Sequence, residues 1–424
     1  MKLKDVYAKV ALPDDEFNAW MDGLVEFKEF YMDCNSNIVI KGEHCIFRRL
    51  NRKAMESINQ NPKWHLKWTS DEEEKRDLSR YFDKDCPETP LFIKDLPLNL
   101  LRKLPKEEVK KLLEDVQIFT YRGLFKRILQ TPYLKHGFNF QAHYNNVYNI
   151  VYLHKHEESY QEKTDYKNDA KNRYMGNRFE SLMTIDSDCN KNQMLETENN
   201  SSQNKKYVPP NRRTQPKEEK TYIVGKKNFK KEEKNIGCLY TCEIDCIDPE
   251  TKCKLELKST QKKIYEANEA DISALTEKRN RSLGFWTICF LTNIKKVILG
   301  LKIPSMNPDK QRSDSVNSRL YIPPHRRRAE SLISTKSEML PAQTNQKHEP
   351  VVILDEVLEV PVEKFLGNFL PNWNKDHGVD FLYEILAQIL ELIKENPEVK
   401  LNVEYQAGAA EVIITKIEDH DHNK

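Results

Sequence analysis

Three carboxylates and one amine lie close together in the middle of the chain, in Glu243-Ile244-Asp245 and Glu256-Leu257-Lys258. The two segments have the composition and alternation typical of β-strands, and Asp248-Pro249-Glu250-Thr251 between them is typical of a turn. Residues two apart in a strand share a face. The sequence therefore predicts a hairpin with the four charged side chains on one face. The apolar face would carry Cys242, Ile244, Cys246, Leu255 and Leu257.

Carboxylates at this spacing repel one another unless a cation lies between them. Mg²⁺ and Mn²⁺ prefer hard oxygen ligands, and a two-metal site can activate water and stabilise both oxygens of a phosphodiester under attack. Lys258 would then orient the attacking water or neutralise developing charge. On these residues alone, a metal-dependent nuclease and a solvated Glu/Lys face of a surface hairpin both remain open.

Composition excludes several classes of protein. The 424 residues include 68 basic and 66 acidic side chains, so net charge does not indicate nucleic acid and any binding must come from local patches. An apolar run of about 18 residues and a hydrophobic leader are both absent, so we expect neither membrane insertion nor secretion. The nine cysteines have no framework spacing, which is typical of a reducing compartment, and we expect the nucleus or the cytoplasm. Cys238, Cys242, Cys246 and Cys253 lack the tight spacing of structural zinc sites and are predicted to pack as small apolar residues.

Ordered and unordered segments alternate along the chain. Residues 186–234 and 304–350 are poor in core residues, which predicts two disordered insertions between ordered parts at 1–185, 235–303 and 351–418. Strands and helices are mixed without regular βα alternation, so the predicted fold class is mixed α/β (α+β). The predicted elements include a strand running into a helix over 116–130, two strands within 138–154, a helix over 165–183, a helical run from 272 leading into a strand over 296–301, a helix over 379–395, and strands over 401–405 and 411–417.

Each predicted insertion carries the pattern Tyr-aliphatic-Pro-Pro-x-Arg-Arg, beginning at Tyr207 and at Tyr321. A Pro pair favours polyproline II, an extended ligand shape with a low ordering cost. The tyrosines would anchor an unknown protein partner, and Arg212 and Arg326 would supply charge. A basic linker that contacts the RNA backbone is the alternative. Oligomeric state is not indicated.

Five short motifs occur in a fixed order between Val116 and Leu301. They are Phe119-Thr120-Tyr121-Arg122-Gly123 with Thr131-Pro132-Tyr133, Gly176-Asn177-Arg178-Phe179-Glu180, Glu243-Ile244-Asp245, Glu256-Leu257-Lys258, and Phe285 to Leu291 with Ile298-Leu299-Gly300. This order resembles the DXO/Rai-type family of RNA 5′-end decapping exoribonucleases.

The resemblance implies a single nuclease domain with a restriction-endonuclease-like metal-site core. It implies removal of incomplete or nicotinamide-type caps from RNA 5′ ends, followed in many members by 5′–3′ digestion. Lys258 would position the attacking water, and Arg122 would contact RNA phosphate. The implied ligands of Mg²⁺ or Mn²⁺, two ions in all, are Glu180, Glu243, Asp245, Glu256 and the backbone carbonyl of Leu257.

Two departures from the family pattern concern substrate binding. Ile288 stands where active members have a Gln near the scissile phosphate, and its side chain cannot form a hydrogen bond. Gly300-Leu301-Lys302 replaces a Gly-Phe-Arg, which keeps the charge but loses the forked guanidinium. A metal-dependent decapping hydrolase and exoribonuclease is the favoured function. The alternative is a non-catalytic RNA-end-binding scaffold, like the Cutoff protein, that recruits partners through the Tyr-Pro-Pro motifs.

Overall fold

The chain is described by a computed structural model over residues 6–11, 19–21, 25–32, 38–40, 48–60, 65–66, 91–134, 137–155, 166–185, 220–304, 352–365 and 375–417. The motif residues Tyr207, Arg212, Tyr321 and Arg326 lie outside these ranges, as does the whole of 305–351.

Eighteen strands and eight helices occur in the described residues. The strands are β1 (Val6–Ala11), β2 (Ala19–Met21), β3 (Val25–Met32), β4 (Ile38–Ile40), β5 (Arg49–Leu50), β6 (His65–Leu66), β7 (Ile118–Tyr121), β8 (Phe138–Asn145), β9 (Ile150–Lys155), β10 (Thr184–Ile185), β11 (Lys220–Lys231), β12 (Lys234–Ile244), β13 (Cys246–Ile247), β14 (Lys254–Gln261), β15 (Lys296–Pro304), β16 (Val352–Pro361), β17 (Lys400–Tyr405) and β18 (Glu411–Ile417). The helices are α1 (Arg52–Gln60), α2 (Leu91–Lys103), α3 (Lys106–Leu112), α4 (Arg122–Leu134), α5 (Tyr166–Met183), α6 (Lys262–Tyr265), α7 (Ile272–Thr292) and α8 (Lys375–Glu395), and a 3-10 turn spans Val362–Phe365.

The larger sheet has eleven strands in the order β1-β18-β17-β8-β9-β7-β12-β11-β3-β4, with β2 paired to β11. Strand β12 runs parallel to β7 and pairs Thr241 with Tyr121. Because parallel strands end at the same edge, the start of α4 at Arg122 lies beside the end of β12.

The smaller sheet has seven strands in the order β10-β5-β13-β14-β15-β16-β6. Strand β14 lies near its centre, antiparallel to β13 and parallel to β15, with Glu256 paired to Val297 and Lys258 to Leu299. Gly300 on β15 packs against Phe179 of α5, since a Cβ there would lie 2.5 Å from the Phe179 ring. This contact fixes α5 against the sheet that carries Glu256.

Helices α4, α7 and α8 pack together over the main hydrophobic core, with α4 in contact with both of the others. Helix α7 begins at Asp271, whose carboxylate accepts a hydrogen bond from the amide of Ala274 at 2.9 Å, and ends at Asn293 in the left-handed conformation. These are favourable capping residues at the two ends. The described helices include none that is long and apolar enough to cross a membrane.

The mixed α/β fold class is confirmed, together with the strand-to-helix segment at β7 and α4 and the three C-terminal elements α8, β17 and β18. The first unordered segment was predicted to reach Lys234, and this limit is wrong. Residues from Lys220 form β11, which pairs with β12 along its whole length. Residues 221–225 and Phe229 of this strand are buried, and so is Lys227, so a polar composition concealed a strand.

The first strand of the predicted hairpin, which was expected to run on through Glu243-Ile244-Asp245, is also not continuous. It breaks at Asp245, so β12 belongs to the larger sheet and β13 to the smaller one. The Asp245 carboxylate accepts a hydrogen bond from the backbone amide of Leu257 at 2.7 Å, which replaces a strand-to-strand backbone bond at this point. Cys238, Cys242 and Cys246 are buried as expected, but Cys253 is exposed.

Candidate active site

Glu256 and Lys258 lie on one face of β14, at the junction of the two sheets. The strand alternates as predicted, because Leu255 and Leu257 are buried in an apolar cluster on the opposite face. Glu256 is 0% exposed, which is rare for a carboxylate without a compensating charge. The site is therefore built around a buried acid.

The Lys258 ammonium lies between the acidic groups. Its Nζ is 2.6 Å from Glu256 Oε1 and 3.3 Å from Asp245 Oδ2, and it donates to the Leu257 carbonyl at 2.9 Å. Burial lowers the pKa of Lys258, but attraction to Asp245 and Glu256 outweighs burial and holds it well above the usual lysine value. Lys258 is thus a cation in this arrangement of acids.

Glu256 has two cations as neighbours. The Lys258 ammonium lies 2.6 Å from its Oε1, and Arg122 Nη1 lies 3.6 Å from its Oε2. Burial raises the pKa of Glu256, and Asp245 raises it further, while Lys258 and Arg122 act in the opposite direction. The two neighbouring positive charges therefore offset the burial of the carboxylate.

Arg122 joins the two sheets at the start of α4. Its Nη1 donates to the backbone carbonyl of Glu243 at 3.1 Å and faces Glu256 across the junction. Burial lowers its pKa, but Glu256, Asp245 and Glu243 together raise it above the usual arginine value. The residue expected to contact RNA phosphate therefore contacts acidic and carbonyl groups of the protein in this structure.

Glu180 and Glu243 border this centre. Glu180 on α5 is half-buried and close enough to raise the pKa of Lys258. Glu243 at the end of β12 is half-buried, pairs across the strands with Tyr222 and raises the pKa of that phenol after burial has done so. In the described part of the chain, no three His, Cys, Asp or Glu side chains converge closely enough to hold a metal ion. Asp245, Glu256 and the Leu257 carbonyl contact the Lys258 ammonium instead, and Glu180 lies near it.

Helix α7 covers the site. Ile288 is 7% exposed, so the side chain at the position of the family's Gln is buried. The next residue, Cys289, is fully buried, and burial followed by the charge of Glu256 raises its pKa. Ile288, Cys289 and Trp286 of this helix are all uncharged.

Lys126 belongs to the site and was not predicted from the sequence. It follows Arg122 by one helical turn on α4, and residues four apart share a helix face. Burial, with the like charges of Arg122 and Lys258, lowers the pKa of Lys126 to about 8. The four-residue spacing from Arg122 is a signal by which it could have been found.

The donor set fits a hard divalent cation. Asp245, Glu256 and the Leu257 carbonyl offer three oxygens that already surround one positive charge, the Lys258 ammonium. The Glu256 carboxylate is fully buried and already lies 2.6 Å from the Lys258 ammonium, so this position accepts a positive charge. Carboxylate and carbonyl oxygens are the ligands that Mg²⁺ and Mn²⁺ prefer.

Comparison with known proteins gives a family match and a shared fold. A family model described as RAI1-like PD-(D/E)XK nuclease matches residues 45–310. The chain is similar to the structure of S. pombe Rai1 in complex with 3′-FADP, with a TM-score of 0.54 and 14% identity over 97% of this chain and 99% of that one. It is similar to Candida albicans Rai1 in complex with pU5-Mn²⁺, with a TM-score of 0.57 and 12% identity over 97% and 94%.

A third similar structure is K. lactis Dxo1 in complex with manganese, with a TM-score of 0.51 and 12% identity over 97% of this chain and 96% of that one. No curated protein matches the chain in sequence. At these identities the solved structures show the fold.

Proposed function

The chain belongs to the family of RAI1-like PD-(D/E)XK nucleases, and on this premise we propose that it is a metal-dependent hydrolase of RNA 5′ ends. The proposed reaction is removal of incomplete or nicotinamide-type caps, with 5′–3′ exonucleolytic digestion as a second activity. The observation that carries the proposal is the contact of Lys258 with both Asp245 and Glu256, at 3.3 Å and 2.6 Å. These three residues match the acid, the second acid and the lysine of the PD-(D/E)XK pattern.

The proposed cofactor is Mg²⁺ or Mn²⁺, as two ions. Asp245, Glu256 and the Leu257 carbonyl would hold metal, and Glu180 and Glu243 would complete the ligand set directly or through water. When bound, such ions activate water and stabilise the charge that develops on a phosphodiester.

The side chains have separate tasks in this proposal. Lys258 lies between Asp245 and Glu256, and its ammonium would orient the attacking water. Arg122 would exchange its contact with Glu256 for a phosphate oxygen of the RNA, which a guanidinium binds with charge-assisted hydrogen bonds. Lys126 adds a second positive charge on the same face of α4.

Hydrolysis of defined RNAs tests the proposal. We expect the purified protein with Mn²⁺ to release product from at least one of three substrates, namely 5′-monophosphate, 5′-triphosphate or nicotinamide-capped RNA. The double variant Glu243→Ala/Asp245→Ala should abolish product formation, whereas Glu398→Ala, at an exposed carboxylate in the turn before β17, should not. Full activity in the double variant would show that the site is wrongly assigned.

A non-catalytic RNA-end-binding scaffold is the second candidate. The observation in its favour is Ile288, a buried apolar side chain where the family pattern has a Gln near the scissile phosphate. Retained binding of all three RNAs with no product from any of them would favour the scaffold. Restored cleavage in Ile288→Gln would then identify this residue as the cause.

Partner docking and location are proposals that rest on sequence. We propose that Tyr207 and Tyr321 anchor a protein partner, so deletion of both motifs should abolish its co-purification and leave hydrolysis intact. For nuclear targeting the basic run at Arg326 is a better candidate than the lysines of β11, because Lys227 is buried and donates to the Phe290 carbonyl at 3.0 Å. A buried lysine in a paired strand is poorly accessible to an import receptor.

A further inference from the structure

A cavity of about 400 Å³ lies beside the candidate active site, between α7, the end of β14, α6 and the 3-10 turn at Val362–Phe365. Its apolar walls include the rings of Tyr265, Phe285 and Phe365, and the last two meet edge to face at 5.6 Å. Cavities of this size with aromatic walls and a few polar groups are typical of small-molecule sites.

The polar part of the cavity is positively charged. Lys278, Arg281 and Lys364 line it, and no acidic side chain is found among the lining residues that the structure describes. Lys278 donates to the Ala267 carbonyl at 2.9 Å, and its Nζ lies 6.0 Å from the centre of the Tyr265 ring. Arg281 is paired with Glu277 outside the cavity, with Nη2 2.6 Å from Glu277 Oε1. A cavity lined by basic and no acidic side chains suits an anionic ligand.

A further cation, Lys302 on β15, lies close enough to feel the charge of Arg281, although it does not line the cavity. It is 8% exposed, and burial together with the like charge of Arg281 lowers its pKa to about 8. Burial also lowers the pKa of Lys278. Cations in this condition gain from an anionic ligand, since the ligand would stabilise their charged forms.

The hydroxyl of Thr260 marks the side of the cavity nearest the catalytic strand. Thr260 is 3% exposed, lines the cavity, and its Oγ1 is buried without a hydrogen-bond partner. A buried polar atom in this state is costly unless a ligand or water satisfies it. It is a second and independent indication that the cavity is built for an occupant.

The cavity and the acidic centre are consecutive on one strand face. Glu256, Lys258 and Thr260 alternate along β14, so they point to the same side. Two residues of strand cover roughly 6.6 Å, which places Thr260 one strand repeat beyond Lys258. Helix α7 covers both regions, with Cys289 over Glu256 and Phe285 one turn earlier at the cavity.

We propose that this cavity binds a nucleotide of the RNA next to the one held at the acidic centre, with its base against the aromatic wall and its phosphate against Thr260 and Arg281. The inference rests on the proposed function for its substrate class. Aromatic rings stack on any base, and basic side chains bind the phosphodiester without reading sequence. The cavity would therefore set a minimum length for tight binding rather than a sequence preference.

Binding of RNAs of different length tests the inference. Fluorescence anisotropy in Ca²⁺, which takes oxygen ligands as Mg²⁺ does, would measure the affinity of the native protein and of Thr260→Val for a labelled 5′-phosphorylated pentanucleotide. Competition would measure their affinity for a 5′-mononucleotide. Valine keeps the shape of threonine and removes only the hydroxyl. We expect about a tenfold loss of affinity for the pentanucleotide and no change for the mononucleotide, as for the loss of one hydrogen bond to a charged group.

Control variants separate this role from a structural one. Thr276→Val, at an exposed threonine of α7, should leave both affinities unchanged. Arg281→Gln should reproduce the length-dependent loss, and it provides a second variant if Thr260→Val does not fold. Equal affinities of the native protein and both cavity variants for the pentanucleotide would overturn the inference, as would an equal loss for the mononucleotide.

The hydrolysis assay with Mn²⁺ distinguishes failure of this inference from failure of the proposed function. If the native protein cleaves RNA and the cavity variants bind RNA normally, the proposed nucleotide site is wrong and the proposed hydrolase activity is supported. If the native protein does not cleave RNA and both cavity variants show a length-dependent loss of RNA affinity, the proposed nucleotide site is supported and the proposed hydrolase activity is wrong.

Discussion

Replacement of Lys258 by Met removes the positive charge between the two acids of the candidate active site. Methionine keeps most of the apolar stem, so the change is mainly electrostatic. In the native protein the ammonium is 2.6 Å from Glu256 Oε1 and 3.3 Å from Asp245 Oδ2. Because Glu256 is 0% exposed, its carboxylate would stay buried without its nearest cation.

The expected loss of stability follows from the burial of the pair. Removal of one partner of a buried ion pair costs about 3–5 kcal/mol. The Lys258 side chain is 25% exposed, and Arg122 still lies 3.6 Å from the other oxygen of Glu256. We therefore expect the lower end of that range, about 3 kcal/mol in the free energy of unfolding at mildly alkaline pH.

The loss should depend on pH in a defined direction. Burial holds the pKa of Glu256 above its value in the unfolded chain, and removal of Lys258 raises it further. The folded state then binds a proton that the unfolded state has released, so folding stability falls as pH rises through that window. The variant should be closest to the native protein under mildly acidic conditions, where Glu256 is neutral.

Denaturant unfolding at two pH values, in EDTA and in Mn²⁺, measures these effects. Mn²⁺ should restore stability to Lys258→Met more than to the native protein, because the metal supplies the missing charge. Glu256→Gln combined with Lys258→Met is the matched control. This double variant contains no uncompensated buried carboxylate and should be more stable than Lys258→Met alone. The reasoning would be refuted if Lys258→Met were as stable as the native protein. It would also be refuted if neither low pH, Mn²⁺ nor Glu256→Gln reduced the loss of folding stability.

Three further predictions concern the surroundings of the site. Gly300→Ala should cost about 1–3 kcal/mol in thermal unfolding because the new Cβ would lie 2.5 Å from the ring of Phe179. Gly176→Ala, in open space within α5, should instead stabilise by about 0.5–1 kcal/mol, and the same sign for both changes would contradict the packing. RNA affinity measured by anisotropy should fall as pH rises through about 8, where Lys126 loses its proton, and Lys126→Met should reduce that dependence. Asp248→Ala should lower the free energy of unfolding by about 2 kcal/mol at neutral pH and by less in acid. Burial raises the pKa of Asp248, but hydrogen bonds from Arg52, the Glu250 amide and Thr251 outweigh burial and hold that pKa below its usual value. Chemical unfolding in which the loss of stability does not depend on pH would argue against this.

The sequence predicted those parts of the site that depend on local alternation. Strand β14 follows the period of two expected for Lys254 to Ser259, and this alone places Glu256 and Lys258 on one face and Leu255 and Leu257 on the other. The C-terminal helix and two strands were found for the same reason, because apolar periodicity determines which face is buried.

The sequence did not predict features that depend on contacts distant along the chain. Lys227 can be buried in β11 because its ammonium donates a hydrogen bond to the Phe290 carbonyl. A composition rich in lysine gives no sign of such a partner. The charge state of Lys126 likewise depends on Arg122 and on Lys258, which is far away in sequence. Periodicity carries no information about either contact.

The break at Asp245 explains how the two sheets share one site. A hairpin continued in a single sheet would leave α4, which follows β7 of the larger sheet, apart from β14 of the smaller one. The chain instead leaves the larger sheet after Ile244 and enters the smaller one at Cys246, and the Asp245 carboxylate accepts the Leu257 amide at 2.7 Å at the crossing point. Arg122 can then bind the Glu243 carbonyl in one sheet and face Glu256 in the other. An acidic residue at 245 thus serves the fold and the proposed chemistry together, so Asp245→Asn should disturb both more than the equally conservative Glu243→Gln.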